Sequence, residues 1–366
     1  MRIIICPVGT SILTNGAEPS AKKLLLDYAN TKRREDIPPA DAVKLDKVID
    51  DRMAKLKFMN GETAKKASAE LHSLLILFGE EAPAPNDVVY LVPTHTYIGR
   101  RASELISSYI GKLRVEIKLM EIPSLQTRSS EDLRSAFSLL VREIVSLHEA
   151  YKPMGARFIF NLTGGFKTVV GFLQTLATLY ADETVYIFES ESELMRVPKL
   201  PFSLRAEDYI VNQVELWRRL EMGLPVNQEL AGTLPGTLYY RIDDSFMLSE
   251  YGEFIWLSLK SDLFSERIYP PPTGKARLGE RFQSSVQNLN PSQKLKLNRR
   301  IDDLSKYLES PRQDMLKSLS FKAIGKSQGA STHEFYAWSD EGAKRVYCHY
   351  DVYGTLILDE LGEHLS

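Results

Sequence analysis

The stretch Phe160-Asn161-Leu162-Thr163-Gly164-Gly165-Phe166-Lys167-Thr168 has the residue types of a turn that contacts phosphate. An apolar run, Arg157 to Phe160, leads into it as a buried strand. Thr168 to Tyr180 follows with helical period and good helix formers. A strand that turns through two glycines into a helix leaves free backbone N–H groups at the helix start. Those groups, with the helix dipole behind them, favour an anion. Gly164 and Gly165 omit the Cβ atoms that would hold a ligand off, Lys167 adds a cation, and Thr163 and Thr168 add hydroxyls. The spacing is neither that of a Walker loop nor that of the dinucleotide fingerprint. The same residues also suit a plain strand-to-helix turn in which glycine supplies the φ angle, and the local sequence leaves both readings open.

The elements around this turn alternate. Apolar runs at Ile3–Cys6, Val88–Val92, Val115–Met120, Phe158–Asn161 and Val185–Phe188 read as strands covered on both faces. Helical patterns lie between them, roughly over 40–79, 98–111, 129–150 and 165–181. Such alternation implies a parallel, doubly wound α/β sheet, with ligands bound at the carboxyl ends of the strands. Three strand ends carry small or polar residues: Gly9-Thr10-Ser11, Thr94-His95-Thr96, and Asn161 to Thr168. They are expected to converge on one crevice.

With 366 residues the chain exceeds what one core holds, so two or three domains are expected. A hydrophobic fraction of 43% and a charged fraction of 26% are those of a water-soluble globular protein. The net charge of −2 excludes a polycation and confines any nucleic-acid surface to a local patch. Cys6 and Cys348 are the only cysteines, which excludes a disulfide framework and a cysteine-only zinc site. No signal peptide fits an N-terminus that enters a strand at Arg2, and no apolar run is long enough to span a bilayer. A cytoplasmic protein without membrane partners is expected.

The pattern shifts at Val197-Pro198-Lys199-Leu200-Pro201. Residues 201–272 read as a connector, helical with a short β-like insertion and loosely winged-helix-like. Tyr209 to Met222 forms one helix in this reading, and Ser249 caps another. Tyr269-Pro270-Pro271-Pro272-Thr273-Gly274 reads as a linker. Beyond it, 273–366 read as a small α+β unit. One or two helices span Gln283 to Leu308, then short strands follow at Ser320–Ile324, His333–Trp338, Lys344–His349 and Thr355–Leu358.

Residues 1–200 resemble the CRISPR-associated Rossmann-fold (CARF) sensor family, through the first strand ending in Gly9-Thr10-Ser11 and the late strand running into Asn161 to Lys167. The resemblance implies a homodimer that binds cyclic oligoadenylate across its axis, with cyclic tetra-adenylate as the expected ring. Gly9, Thr10, Ser11 and Asn15 are then expected at the ligand from one loop. Thr163, Gly164, Gly165, Lys167 and Thr168 are expected from the other, with Thr94 beside them. Backbone N–H groups, hydroxyls and a lysine complement phosphates and 2′-hydroxyls. Arg142 and His148 imitate the Arg–His pair of the HEPN ribonucleases, but they fall inside the Rossmann pattern and read as an ordinary surface helix.

Residues 273–366 resemble the RelE/HigB-type mRNA interferases, through Thr332-His333-Glu334-Phe335-Tyr336-Ala337-Trp338, Lys344-Arg345-Val346-Tyr347 and a last strand running into Gly362-Glu363-His364. The resemblance implies RNA cleavage without a metal or other cofactor, by attack of a 2′-hydroxyl on the neighbouring phosphate. Arg345 matches the family's strand arginine and is expected to stabilise the phosphate. His364, His333 and Glu334 are the expected proton-transfer groups, although alternation keeps His333 and Glu334 off the same face. Lys322 and Lys326 are expected to supply charge. Tyr336, Trp338, Tyr347 and Tyr350 are available for base stacking, about half of them being core by the same alternation. His349 reads as structural or exposed. Together the resemblances imply an endoribonuclease of type III CRISPR antiviral defence, activated by cyclic oligoadenylate and acting on mRNA with the ribosome as partner. Two rivals stand beside it: a sensor-controlled DNA-binding regulator, and a ring nuclease that degrades the signal.

Overall fold

The computed structural model describes residues 1–126, 130–187, 193–201, 210–328, 330–340 and 342–363, without the side chains of 130 and 325–328. The chain divides into two compact units, Met1–Ser203 and Leu204–Ser366.

The first unit starts with β1 (Arg2–Val8), buried at every position because strands flank it on both sides and helices cover it. Then come α1 (Ser11–Thr14), α2 (Pro19–Asp27), α3 (Pro39–Lys57), α4 (Gly61–Ala67), α5 (Ala69–Glu80), β2 (Val88–Pro93), α6 (Tyr97–Ile110) and β3 (Glu116–Leu119). The unit closes with α7 (Ser130–Tyr151), β4 (Arg157–Asn161), α8 (Lys167–Tyr180), β5 (Glu183–Tyr186) and β6 (Met195–Pro198). The strand order is β3-β2-β1-β4-β5-β6. β1 pairs in parallel with both neighbours, Ile3 lying between Val88 and Phe158. Only β6 runs antiparallel, on β5. This is an α/β architecture with a parallel, Rossmann-like core.

Ile4, Cys6 and Val8 face Leu45, Ile49, Leu71, Leu74, Ile98 and Leu105 in one core. Alternation turns Ile3 and Ile5 to the other face. The helices α7 and α8 are joined by Phe137 stacking on Phe172 at 4.0 Å. The helical pattern over 40–79 resolves into three helices, because two local caps interrupt it. Asn60 accepts the Thr63 N–H at 2.9 Å, and Ser68 accepts the Leu71 N–H at 3.3 Å. Strand order reverses at β1, with β2 on one side and β4 on the other. The carboxyl ends of these three strands therefore diverge around a crevice at one edge of the sheet.

The second unit holds α9 (Val214–Met222), α10 (Gln228–Ala231), the hairpin β7 (Tyr239–Ile242) and β8 (Ser245–Leu248), and α11 (Glu250–Glu266). After these come β9 (Ala276–Leu278), α12 (Glu280–Ser285), α13 (Pro291–Glu309), α14 (Gln313–Leu319), β10 (Lys322–Gln328), β11 (Ser331–Trp338), β12 (Lys344–Tyr350) and β13 (Leu356–Glu363). β10 to β13 form an antiparallel meander, and β9 adds to β13 in parallel. Leu297, Ile301 and Leu304 of α13 pack with Phe335, Val346, Cys348 and Leu358 of the sheet.

The proline run reads as a linker, but its backbone is tied down. Arg218 donates to the Pro270 carbonyl at 2.6 Å, and Arg219 donates to that of Pro272 at 2.8 Å. The Tyr269 N–H is held by Asn298 at 2.8 Å, and Thr273 donates to Glu309 at 2.6 Å. Proline lacks a donor yet keeps its carbonyl; α9 supplies the donors to the two carbonyls, and α13 the partners of Tyr269 and Thr273. The same Arg218 pairs with Asp302 at 2.6 Å, both side chains buried. Burial pushes the Asp302 carboxyl above the usual range, against the pull of Arg218 and Lys260. Residues 214–266 are thus fastened to α13 as part of one packed body.

Candidate functional site

The crevice of the first unit is built around a residue that the sequence does not advertise. Glu70, in the first turn of α5, is fully buried. Its Oε1 accepts the Gly9 N–H at 2.7 Å. Its Oε2 accepts the hydroxyls of Ser11 at 2.8 Å and Ser68 at 2.6 Å. A Cβ on Gly164 would stand 2.2 Å from the same carboxylate, so this position needs glycine because Glu70 fills the space. Gly165 has φ +103°, and a Cβ there would meet the Pro7 side chain at 2.8 Å. Both glycines therefore have a packing reason, and the turn rests directly on the Gly9 loop.

The expected ligand residues divide into two sets. Gly9, Ser11 and Gly164 are engaged by Glu70. Thr163 donates to Asn161 at 3.0 Å and accepts the Ile187 N–H at 3.2 Å. Thr94 is buried, with its hydroxyl 3.1 Å from that of Thr96, the N-cap of α6. The outward set is Thr10, half-buried, with Asn15, Lys167 and Thr168, all exposed. Lys167 and Thr168 form the first turn of α8, whose N-cap Phe166 offers no side-chain acceptor. At the end of β2, burial holds the His95 imidazole below its usual value, and Arg100, Lys32 and Arg33 push it the same way. Glu121 acts against them. Burial, then the charge of Glu70, pushes the Cys6 thiol well up, so it is no nucleophile.

Glu70 was missed because a carboxylate following a serine N-cap reads as ordinary helix-start chemistry. The signal that marks it is its company, an otherwise apolar helix face of Leu71, Leu74 and Leu77.

In the second unit the sheet gathers Arg345, Glu334 and Lys322. Strand pairing sets Tyr336 opposite Arg345, Glu334 opposite Tyr347, and Lys322 opposite Glu334. Arg345 Nη1 meets Glu334 Oε1 at 2.6 Å, and Lys322 Nζ stands 3.4 Å from that oxygen. The Tyr336 ring lies 4.0 Å from the guanidinium. Arg345 is only 2% exposed, and its Nε has no hydrogen-bond partner. It lines an open pocket of about 420 Å³ together with Lys317, Ser320, Phe321, Lys322 and Tyr336. A guanidinium and an ammonium lining one open pocket are suited to donate hydrogen bonds to a phosphate.

His333 is not part of this group. It pairs with Cys348, and its ring stacks on Phe321 at 5.4 Å and meets Tyr350 edge-on at 5.3 Å. Of the four expected stacking rings, Trp338 and Tyr347 are buried, the Tyr347 hydroxyl donating to the Glu363 carbonyl at 2.7 Å. His349 is held by Asp359 at 2.8 Å, and Asp359 also accepts from Ser331 at 2.7 Å. His364 and the Lys326 side chain lie outside the described residues. Arg142 has a partner within the fold. His148 is half-buried: its ring packs against Phe158 at 5.0 Å and Tyr180 at 5.3 Å.

Residues 65–200 match the model of a family described as CRISPR-associated protein (Cas_APE2256). The match takes in Glu70, Thr94 and the Gly164–Gly165 turn and ends before the second unit. No curated protein matches the chain. Among the described residues, no helix is long and apolar enough to cross a membrane, and no group of three or more His, Cys, Asp or Glu is arranged to hold a metal.

Proposed function

We propose that the chain is an endoribonuclease of CRISPR defence, in which the first unit senses cyclic oligoadenylate as a homodimer and the second cuts mRNA. The observation that carries the nuclease half is Arg345, a guanidinium that lines an open pocket with Lys322 and is paired there with Glu334. An RNA phosphate entering that pocket meets the cations of Arg345 and Lys322 on its lining. The 2′-oxygen then attacks phosphorus and loses its proton to a base. The P–O5′ bond breaks and O5′ takes up a proton, giving a 2′,3′-cyclic phosphate and a 5′-hydroxyl. Arg345 and Lys322 offset the charge of the phosphorane. Glu334, sharing their face of the sheet, takes the 2′-hydroxyl proton once Arg345 turns from it to the phosphate. His333 serves no such role in this reading, because its ring is stacked in an aromatic contact.

The sensor half is supported by the CRISPR-associated match over 65–200, the uncapped start of α8 beside Lys167 and Thr168, and the cations around His95. A ring of even number suits a two-fold protein site, and binding favours the active state by its differential affinity for that state. The ribosome as partner rests on the RelE resemblance. The test is to incubate the protein with translating ribosomes, with and without cyclic oligoadenylates of each ring size, and to map mRNA ends. Cuts that depend on one ring are expected. Cuts that ignore the ring remove the sensor half, and no cuts under any condition remove the nuclease half.

A further inference from the structure

The donors expected to grip a ligand phosphate already grip a carboxylate. Glu70 holds the Gly9 N–H at 2.7 Å and the Ser11 hydroxyl at 2.8 Å, and fills the space over Gly164. Among the described residues no cation forms an ion pair with it, so its charge is balanced only by hydrogen bonds. That is an unusual arrangement for a fully buried carboxylate. A second anion at the same donors meets like charge within a few ångströms in a medium of low dielectric.

We infer that Glu70 is an internal occupant of the glycine cradle, and that an anionic ligand captures Gly9 and Ser11 only by displacing it. The inference rests on the ligand-sensing reading of the first unit. Glu70 lies in the first turn of α5, within the turn that Ser68 caps through the Leu71 N–H. Ser68 also donates to the Glu70 carboxylate at 2.6 Å. Displacing Glu70 therefore loosens the start of α5, which turns an event at the crevice into a change in a core helix. In the ring-free state the carboxylate acts as a latch that sets the affinity threshold.

The experiment is titration of cyclic tetra-adenylate into the full-length wild type, Glu70→Gln and Glu70→Asp. Gln keeps the shape and the acceptor for Gly9 but removes the charge, so tighter binding by about tenfold or more is expected. Asp keeps the charge and is expected to show no gain. Hydrogen exchange over 68–72 in the wild type gives a readout independent of variant folding, and the ring is expected to speed exchange there. Ring binding by Gln alone, with none by the wild type, also supports the latch. Equal or weaker binding by Gln, or exchange over 68–72 left unchanged by bound ring, overturns the latch and leaves the sensor reading intact. Binding by no form overturns both.

Discussion

Arg345 reaches across from β12 to Glu334 on β11 and meets its carboxylate at 2.6 Å, with both side chains buried. The cation proposed to receive a phosphate is thus neutralised in the resting fold, and Lys322 at 3.4 Å from the same oxygen leaves the trio with a net positive charge. Removing either partner has two separable consequences, one for stability and one for chemistry.

Glu334→Gln leaves the Arg345 charge buried without a counter-charge. Loss of one partner of such a pair costs about 3–5 kcal/mol. Urea unfolding of the full chain measures it, and a change below about 1 kcal/mol contradicts the pairing described for a side chain this buried.

For cleavage, Arg345→Ala is expected to lower the rate about a hundredfold or more, as loss of a charge-stabilising group does. Lys322→Ala, at an exposed side chain, is expected to cost about tenfold. His333→Ala is expected to stay within about twofold, its ring packing on Phe321 and Tyr350 and hydrogen-bonding to Thr332 rather than facing Arg345. Single-turnover rates on a ribosome-bound message test the order, and a His333 loss equal to that of Arg345 reverses the assignment.

Gly165→Ala forces a Cβ into the left-handed region, at φ +103°, and against Pro7 at 2.8 Å. The expected cost is about 1–3 kcal/mol. Gly16 has φ +67° with open space around it, so Gly16→Ala carries only the backbone strain, about 1 kcal/mol. Thermal melts of the two variants side by side separate the steric part from the conformational part.

Much of this architecture was legible in the sequence. Four of the five parallel strands were visible because strands covered on both faces are continuous apolar runs; β3 was located too, but it is an edge strand that is exposed or half-buried at every position, not covered on both faces. The meander was visible because its strands are short and separated by turns. β6 escaped because an edge strand such as Met195–Pro198 is mostly exposed and carries no apolar run, and β9 because three residues make no pattern. The proline run misled because its partners, Arg218 and Arg219, lie about fifty residues upstream. The glycine turn was located but its occupant was not. Nothing local to Gly164 announces a carboxylate from α5.

His148 gives a pH signature. Burial, then the charges of Lys152 and Lys199, hold its imidazole below the usual histidine value, against Asp182 and Glu149. The unfolded chain binds that proton more readily. The stability linked to the neutral ring is therefore complete above the ordinary histidine range and lost as pH falls through the lowered folded value. His148→Phe is expected to flatten this part of the acid-side loss. The difference in melting temperature between variant and wild type from about pH 7.5 to 5 isolates it from His72 and His95, which burial also lowers. Arg142→Ala is expected to leave RNA cleavage unchanged.

The most direct measurement of the central claim reads RNA end groups. Full-length protein is incubated with translating ribosomes, with and without cyclic tetra-adenylate, and the new 3′ ends are identified chemically. The account predicts 2′,3′-cyclic phosphate ends that appear only with the ring and vanish in Arg345→Ala. Cleavage equal with and without any cyclic oligoadenylate, or undiminished in Arg345→Ala, contradicts it.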